Sequence, residues 1–198
     1  MSKLSRRTML GAAAALAAPT PAFAAVDNRP GWRRVRNPAP LPLDVRVHTG
    51  EALITMREWL DGRPAVLALW ATWCTPCLVE KPSQVAMSRR LAASGSRTRI
   101  LALQTYDNVD LARGRAMLLR LGASDLPNAV ASEEAEAAFL TLFGPSDFQP
   151  SRTVMPQHLL IDSQGRELGR SEGLMMGEDG GYTYFEDDST FEFLRSLP

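Results

Sequence analysis

Cysteine is scarce in this chain: Cys74 and Cys77 are the only two among 198 residues. Two cysteines cannot build the disulfide framework of a small secreted domain, so the fold must rest on its apolar core. Histidine is as rare, with only His48 and His158, and the Cys and His positions are too far apart for a zinc-finger pattern. Lysine is limited to Lys3 and Lys81, the other basic residues being arginine. Net charge is also missing, because 22 basic residues balance 22 acidic ones, which argues against a general polyanion or nucleic-acid binder. The hydrophobic share of 45% is ordinary and sufficient for one globular core.

The first 24 residues read as a delivery segment rather than as fold. Lys3, Arg6 and Arg7 precede a mild alanine-rich apolar run from Met9 to Ala18, Pro19 breaks it, and Ala22-Phe23-Ala24 has the small-x-small form of a cleavage site. About ten apolar residues are too few to anchor permanently in a bilayer. Ser5-Arg6-Arg7-Thr8-Met9-Leu10 resembles the bacterial twin-arginine export signal. A general secretory signal containing two arginines is the alternative. Either route implies a periplasmic setting in which disulfides persist. Cleavage removes Lys3, Arg6 and Arg7 and no acid, leaving an acidic mature chain. Residues 25–42, with four prolines, read as an extended leader.

From residue 43 onward the pattern alternates strand and helix. Leu43 to His48 alternates apolar and polar as a half-buried strand does, and Ile54 to Leu60 predicts a short helix ending at Asp61-Gly62. Pro64 to Trp70 is a continuous apolar run, as expected of a strand buried on both faces. A helix from Cys74 to about Ala93, kinked at Pro82, comes next. Arg99 to Gln104 is a second buried strand, Val109 to Leu121 and Glu133 to Phe143 are helices, and Ala129-Val130 is too short to assign. Gln157 to Asp162 and Arg166 to Arg170 predict a hairpin, and Thr190 to Leu197 a closing helix. This order implies a central sheet flanked by helices.

The segment AVLALWATWCTPCLVEKP, Ala65 to Pro82, resembles the active-site segment of the TlpA/ResA-like branch of thioredoxin-fold proteins. Met155-Pro156-Gln157-His158-Leu159-Leu160-Ile161-Asp162 with Gly165 resembles the same family's second signature, a proline before a strand ending in Ile-Asp and a glycine turn. The resemblance spans roughly Leu43 to Leu197 and places a thioredoxin-like domain over residues 43–198. It implies an α/β, thioredoxin-like fold, a central mixed sheet flanked by helices, with an extra helix and loop inserted before a cis-proline at Pro156.

By the same resemblance, Cys74 and Cys77 form a redox-active disulfide, Cys74 being the exposed nucleophile and Cys77 the buried resolving thiol. Glu80 assists proton transfer at Cys77; a solvated helix glutamate is the plainer reading. Trp73, Met155 and Pro156 border the substrate. Physical chemistry agrees on two points: a helix start favours a thiolate at Cys74, and a cis peptide is far more accessible before proline than before other residues. His158 and His48 read as structural or exposed, Trp70 as core, and Lys81 as a surface lysine. Residues 173–188, acidic and aromatic by turns, read as a solvated loop, with a partner-contacting insertion as the alternative.

The function implied is an exported thiol:disulfide oxidoreductase that reduces disulfides in exported proteins such as apocytochrome c. A membrane electron donor would re-reduce it, and no cofactor or metal is needed. The same fold running in the opposite direction, as a disulfide oxidase or isomerase, is one alternative. A copper-binding periplasmic module is the alternative from another class, and a peroxidase fits the paired motif less well.

Overall fold

The computed structural model describes residues 31–35, 40–50, 52–107, 110–147, 151–177, 180–182 and 184–198. The delivery segment, most of the leader, and Glu178, Asp179 and Thr183 lie outside the described residues. The elements are β1 (Arg46–His48), β2 (Leu53–Thr55), α1 (Met56–Leu60), β3 (Ala65–Trp70), α2 (Thr75–Val79), α3 (Lys81–Ala93), β4 (Arg99–Gln104), α4 (Leu111–Arg120), β5 (Asn128–Ala131), α5 (Glu133–Phe143), β6 (Gln157–Ile161), β7 (Glu167–Glu172), a 3₁₀ turn at Tyr184–Glu186 and α6 (Asp188–Arg195).

The strands form one seven-stranded sheet in the order β2-β1-β5-β4-β3-β6-β7. β3, β4 and β5 run parallel, and the outer pairings are antiparallel. All six residues of β3 are buried, as a central strand covered on both faces requires. Val66, Trp70, Ile100 and Leu160 face Val85 and Leu91 of α3 and Phe193 and Leu194 of α6. Leu67, Leu69, Leu103 and Leu159 face Trp59 and Leu60 of α1 and Phe139 of α5. Alternate residues along each strand thus supply two separate apolar layers.

Several local expectations shift for identifiable reasons. Leu53–Thr55 pairs with β1 instead of opening a helix. Thr55 then caps α1 through a reciprocal capping box with Glu58. The long helix expected after Cys74 is two helices meeting at Glu80. Pro82 has no N–H to give, and its ring crowds the carbonyl four residues back. The Glu80 carbonyl at the break accepts both the Ser83 hydroxyl at 2.9 Å and the Gln84 N–H at 3.0 Å. Asn128–Ala131, too short to assign from sequence, is a strand because β4 pairs with it in parallel.

The described residues of the 173–188 segment are not uniformly solvated as expected. Met175, Tyr184 and Phe185 are buried among the residues that surround the cysteines, although Tyr182 stays exposed. Trp32, expected in an irregular leader, is buried as well, and Arg33 pairs by backbone with Arg170 along β7. Gly165, at φ 76°, occupies the β6–β7 turn in the left-handed region that glycine tolerates.

Candidate active site

The Cys-x-x-Cys segment leaves the C-terminal end of β3 and enters α2. Cys74 and Cys77 are joined in a disulfide with Cα atoms 5.3 Å apart. Cys74 stands at the N-cap of α2, and its Sγ accepts the backbone N–H of Cys77 at 3.3 Å. That N–H belongs to the first turn, where donors lack helical partners, and such a donor stabilises a thiolate after reduction. Pro76 fits the same turn because no N–H is required of it there. Cys74, expected to be the exposed member, is buried at 3% exposure and Cys77 at none, because the disulfide packs into the apolar cluster around it; Cys74 is the one nearer solvent.

The turn between β3 and α2 is held from outside. Asp107 accepts the Thr72 N–H at 2.6 Å and the Thr72 hydroxyl at 3.1 Å. Trp73, exposed on one face, donates its indole N–H to the Tyr106 carbonyl at 2.9 Å. Tyr106 takes a left-handed backbone and gives its own N–H to the Glu136 carboxylate and its phenol O–H to the Glu136 carbonyl. Burial pushes the Glu136 carboxyl up. Helix α5, the inserted element, therefore reaches the redox turn through Glu136 and Tyr106. The Arg152 guanidinium lies 4.8 Å from the centre of the Trp73 ring, within cation–π range.

The peptide between Met155 and Pro156 is cis. Leu69 faces Gln157 across the β3–β6 ladder, so Pro156 falls level with Trp70, the last residue before the redox turn. Met155 packs against the cluster that contains both cysteines. Trp70 is fully buried and hydrogen-bonds Asn128, in keeping with a core role.

Behind the disulfide lies a cluster of buried polar side chains. Glu80, 1% exposed, presents Oε2 to Nε2 of His158 at 2.9 Å and Oε1 to the Met175 N–H at 2.6 Å. Gln84 donates to the same carboxylate at 3.4 Å and accepts from Lys81 Nζ at 3.0 Å. Burial pushes the Glu80 carboxyl up, but His158, the Met175 N–H and Lys81 together outweigh it and hold the group below its ordinary range. Burial lowers the Lys81 ammonium to about 8, with Glu80 opposing the shift.

One side chain is misplaced by the sequence reading, and for another the structural one of its two readings holds. Lys81 is 1% exposed rather than a surface lysine, because the kink at Pro82 turns it inward over the Trp70 ring. His158 is wholly buried, and the residue it contacts is Glu80. Glu80 itself is no solvated helix residue. The missed partners, Asp107, Tyr106, Glu136, Gln84 and Met175, come from separate elements and carry no local motif. Polarity beside apolar runs distinguishes Asp107, Glu136 and Gln84 in the sequence, while Met175 contributes only a backbone N–H that no side chain announces. Among the described residues no group of three or more His, Cys, Asp or Glu is placed to hold a metal ion.

No protein-family model and no curated protein matches the chain. Solved structures do. The thiol:disulfide interchange protein DsbE structure from Chlorobium tepidum superposes with TM-score 0.54 at 19% identity, over 80% of this chain and 98% of that one. A thiol:disulfide interchange protein from Bacteroides sp. gives 0.54 at 11% identity, over 75% and 86%. A secreted thiol-disulfide isomerase from Corynebacterium glutamicum gives 0.51 at 15% identity, over 73% and 77%. At these identities the likeness speaks to architecture. The fold is thioredoxin-like, a mixed sheet flanked by helices.

Proposed function

We propose that this chain is an exported thiol:disulfide oxidoreductase that works as a reductant. The observation that carries the reading is the Cys74–Cys77 disulfide at the start of a helix, on a thioredoxin-like sheet with a cis Met155–Pro156 bond level with the redox turn. In the dithiol form the Cys74 thiolate attacks a substrate disulfide, forming a mixed disulfide and releasing the first substrate thiolate. Cys77 then gives up its proton and attacks Cys74 Sγ, closing the intramolecular disulfide and releasing the second substrate thiolate. Two electrons pass to the substrate. Glu80, one turn beyond Cys77, accepts the proton, and Trp73, Met155 and Pro156 border the bound substrate strand.

Structurally similar proteins from Chlorobium tepidum and Bacteroides sp. are thiol:disulfide interchange proteins, which supports the same chemistry. Residues 1–24 would export the chain by the twin-arginine route to the periplasm, 25–42 form its leader and 43–198 its catalytic domain. Among the described residues no helix is long and apolar enough to cross a membrane. The substrate class is an exported protein carrying a disulfide, apocytochrome c being the expected case, and a membrane electron donor restores the dithiol. Cys77→Ser tests the reading, because the first mixed disulfide then has no resolving thiol. Capture of an exported protein on Cys74, released by dithiothreitol, supports it. If the variant, produced in its native host, traps nothing, the reading fails.

A further inference from the structure

Strand register explains why a histidine belongs in this site at all. His158 faces Ala68 across the β3–β6 ladder and Ser171 across the β6–β7 ladder. Cross-strand partners share a face, and Val66, Trp70 and Leu160 of these strands face the cluster that holds Cys74 and Cys77. His158 therefore points toward the redox helix, and the small Ala68 beside it leaves the ring room. The ring is fully buried, lies 5.9 Å from Phe185 and touches the Glu80 carboxylate through Nε2. Its Nδ1 has no hydrogen-bond partner among the described residues. A buried carboxylate is acceptor-only, so the hydrogen of this contact sits on Nε2.

We infer that His158 is a positioning residue for the resolving half of the exchange: its Nε2–H fixes the Glu80 carboxylate one turn beyond Cys77, ready to take the Cys77 proton. This rests on the oxidoreductase reading and adds a second residue to its proton path. When Cys77 attacks the mixed disulfide, its S–H bond breaks and the proton passes to Glu80. The Cys77–Cys74 bond forms as the Cys74–substrate bond breaks, and the departing thiolate carries the electron pair. Glu80 later returns its proton to solvent.

The charged and titratable groups facing Glu80 are Lys81 of α3 and His158 of β6, and Cys77 of α2 lies three residues before it in the chain. The Met175 N–H and neutral Gln84 complete its shell, and Phe185, with the Tyr184 phenol ring packed on it, covers His158. Removing His158 takes the closer side-chain donor from Glu80, at 2.9 Å against 3.4 Å for Gln84, and adds no charge.

The test is single-turnover reduction of oxidised glutathione by the mature dithiol protein, followed by rapid quench from pH 5 to 9. Release of the first and second glutathione separates attack from resolution. In His158→Leu, resolution at pH 7 slows roughly tenfold, a fraction of what a direct proton acceptor supplies. Its pH profile moves, and His158→Gln, which keeps an N–H donor, recovers most of the loss. An unchanged profile in His158→Leu, a loss equal at every pH, or no recovery in His158→Gln overturns the inference.

Should His158→Leu not fold, nitrogen-15 shifts of His158 in the unsubstituted protein decide instead. Hydrogen on Nε2 supports the inference, and hydrogen on Nδ1 alone overturns it. If the unsubstituted dithiol protein leaves oxidised glutathione intact, the oxidoreductase reading itself falls and takes this one with it. Turnover with an unaltered His158→Leu profile removes only the role of His158.

Discussion

Lys81 makes the stability of this protein depend on alkaline pH in a way that can be calculated. Its ammonium donates to Gln84 and lies 5.3 Å from the centre of the Trp70 ring, with 1% of the residue exposed. Folding lowers its pKa from 10.5 to about 8. Between those values the unfolded chain holds a proton that the folded chain has released, so stability rises with pH across the window. Below pH 8 the burial cost is fully present, and above 10.5 it is gone.

At roughly 1.36 kcal/mol per unit the whole shift amounts to about 3 kcal/mol, of which about 2.5 is recovered between pH 7 and 10. Lys81→Met keeps most of the stem and removes the titrating group. The stability advantage of Lys81→Met over the unsubstituted protein should therefore shrink by about 2.5 kcal/mol from pH 7 to 10. Urea unfolding of both oxidised proteins at pH 7, 8, 9 and 10, read by tryptophan fluorescence, measures that difference while other alkaline titrations cancel. A difference constant to within about 0.5 kcal/mol would refute the reasoning, because it would mean that Lys81 titrates alike in both states.

Glu80→Gln at neutral pH leaves the cluster without its anion and should cost about 3 kcal/mol, the order seen when one member of a buried ion pair is removed. The stability that the Glu80 carboxylate contributes is present above its unfolded value of 4.5 and is lost as pH falls through its lower folded value, so the two proteins converge in acid urea titrations. Gly114→Ala places a Cβ 1.9 Å from Gln104 Oε1 and should destabilise by about 1–3 kcal/mol in thermal unfolding. Asp107→Ala orphans the Thr72 N–H, should cost about 1–2 kcal/mol, and should speed alkylation of Cys74 in the reduced protein.

The redox turn was legible in the sequence because its chemistry is local. Trp73, Cys74 and Cys77 lie within five residues, the buried strand before them has a continuous apolar signature, and Pro82 marks where the helix breaks. The cis bond at Met155–Pro156 was likewise carried by a short motif. The polar cluster was not legible, because its geometry depends on register. Leu69↔Gln157 pairing is what turns His158 toward the cysteines, and a shift of one residue would turn it toward α1 and α5 instead. Lys81 was misplaced for a related reason: a continuous helix would leave it on a solvated face, whereas the break at Glu80 rotates α3 and brings it inward. Residues 173–188 offered no period, and the burial of Met175, Tyr184 and Phe185 comes from contacts distant in sequence, such as Met175 with Glu80.

The polar cluster also bears on how the two halves of the site differ. Cys74 is served by a backbone N–H and by a turn clamped through Asp107, Tyr106 and Glu136, of which Asp107 and Glu136 are only half-buried. Cys77 faces a dry interior in which an unpaired charge would cost several kcal/mol. A thiol there cannot ionise by giving its proton directly to solvent, so a group able to hold that proton must already be inside. Glu80 can exist as a buried carboxylate only because His158, Gln84 and Met175 satisfy it. In the proposed mechanism, the hydrogen-bonding partners around this one carboxylate are what keep an acceptor for the Cys77 proton inside the protein.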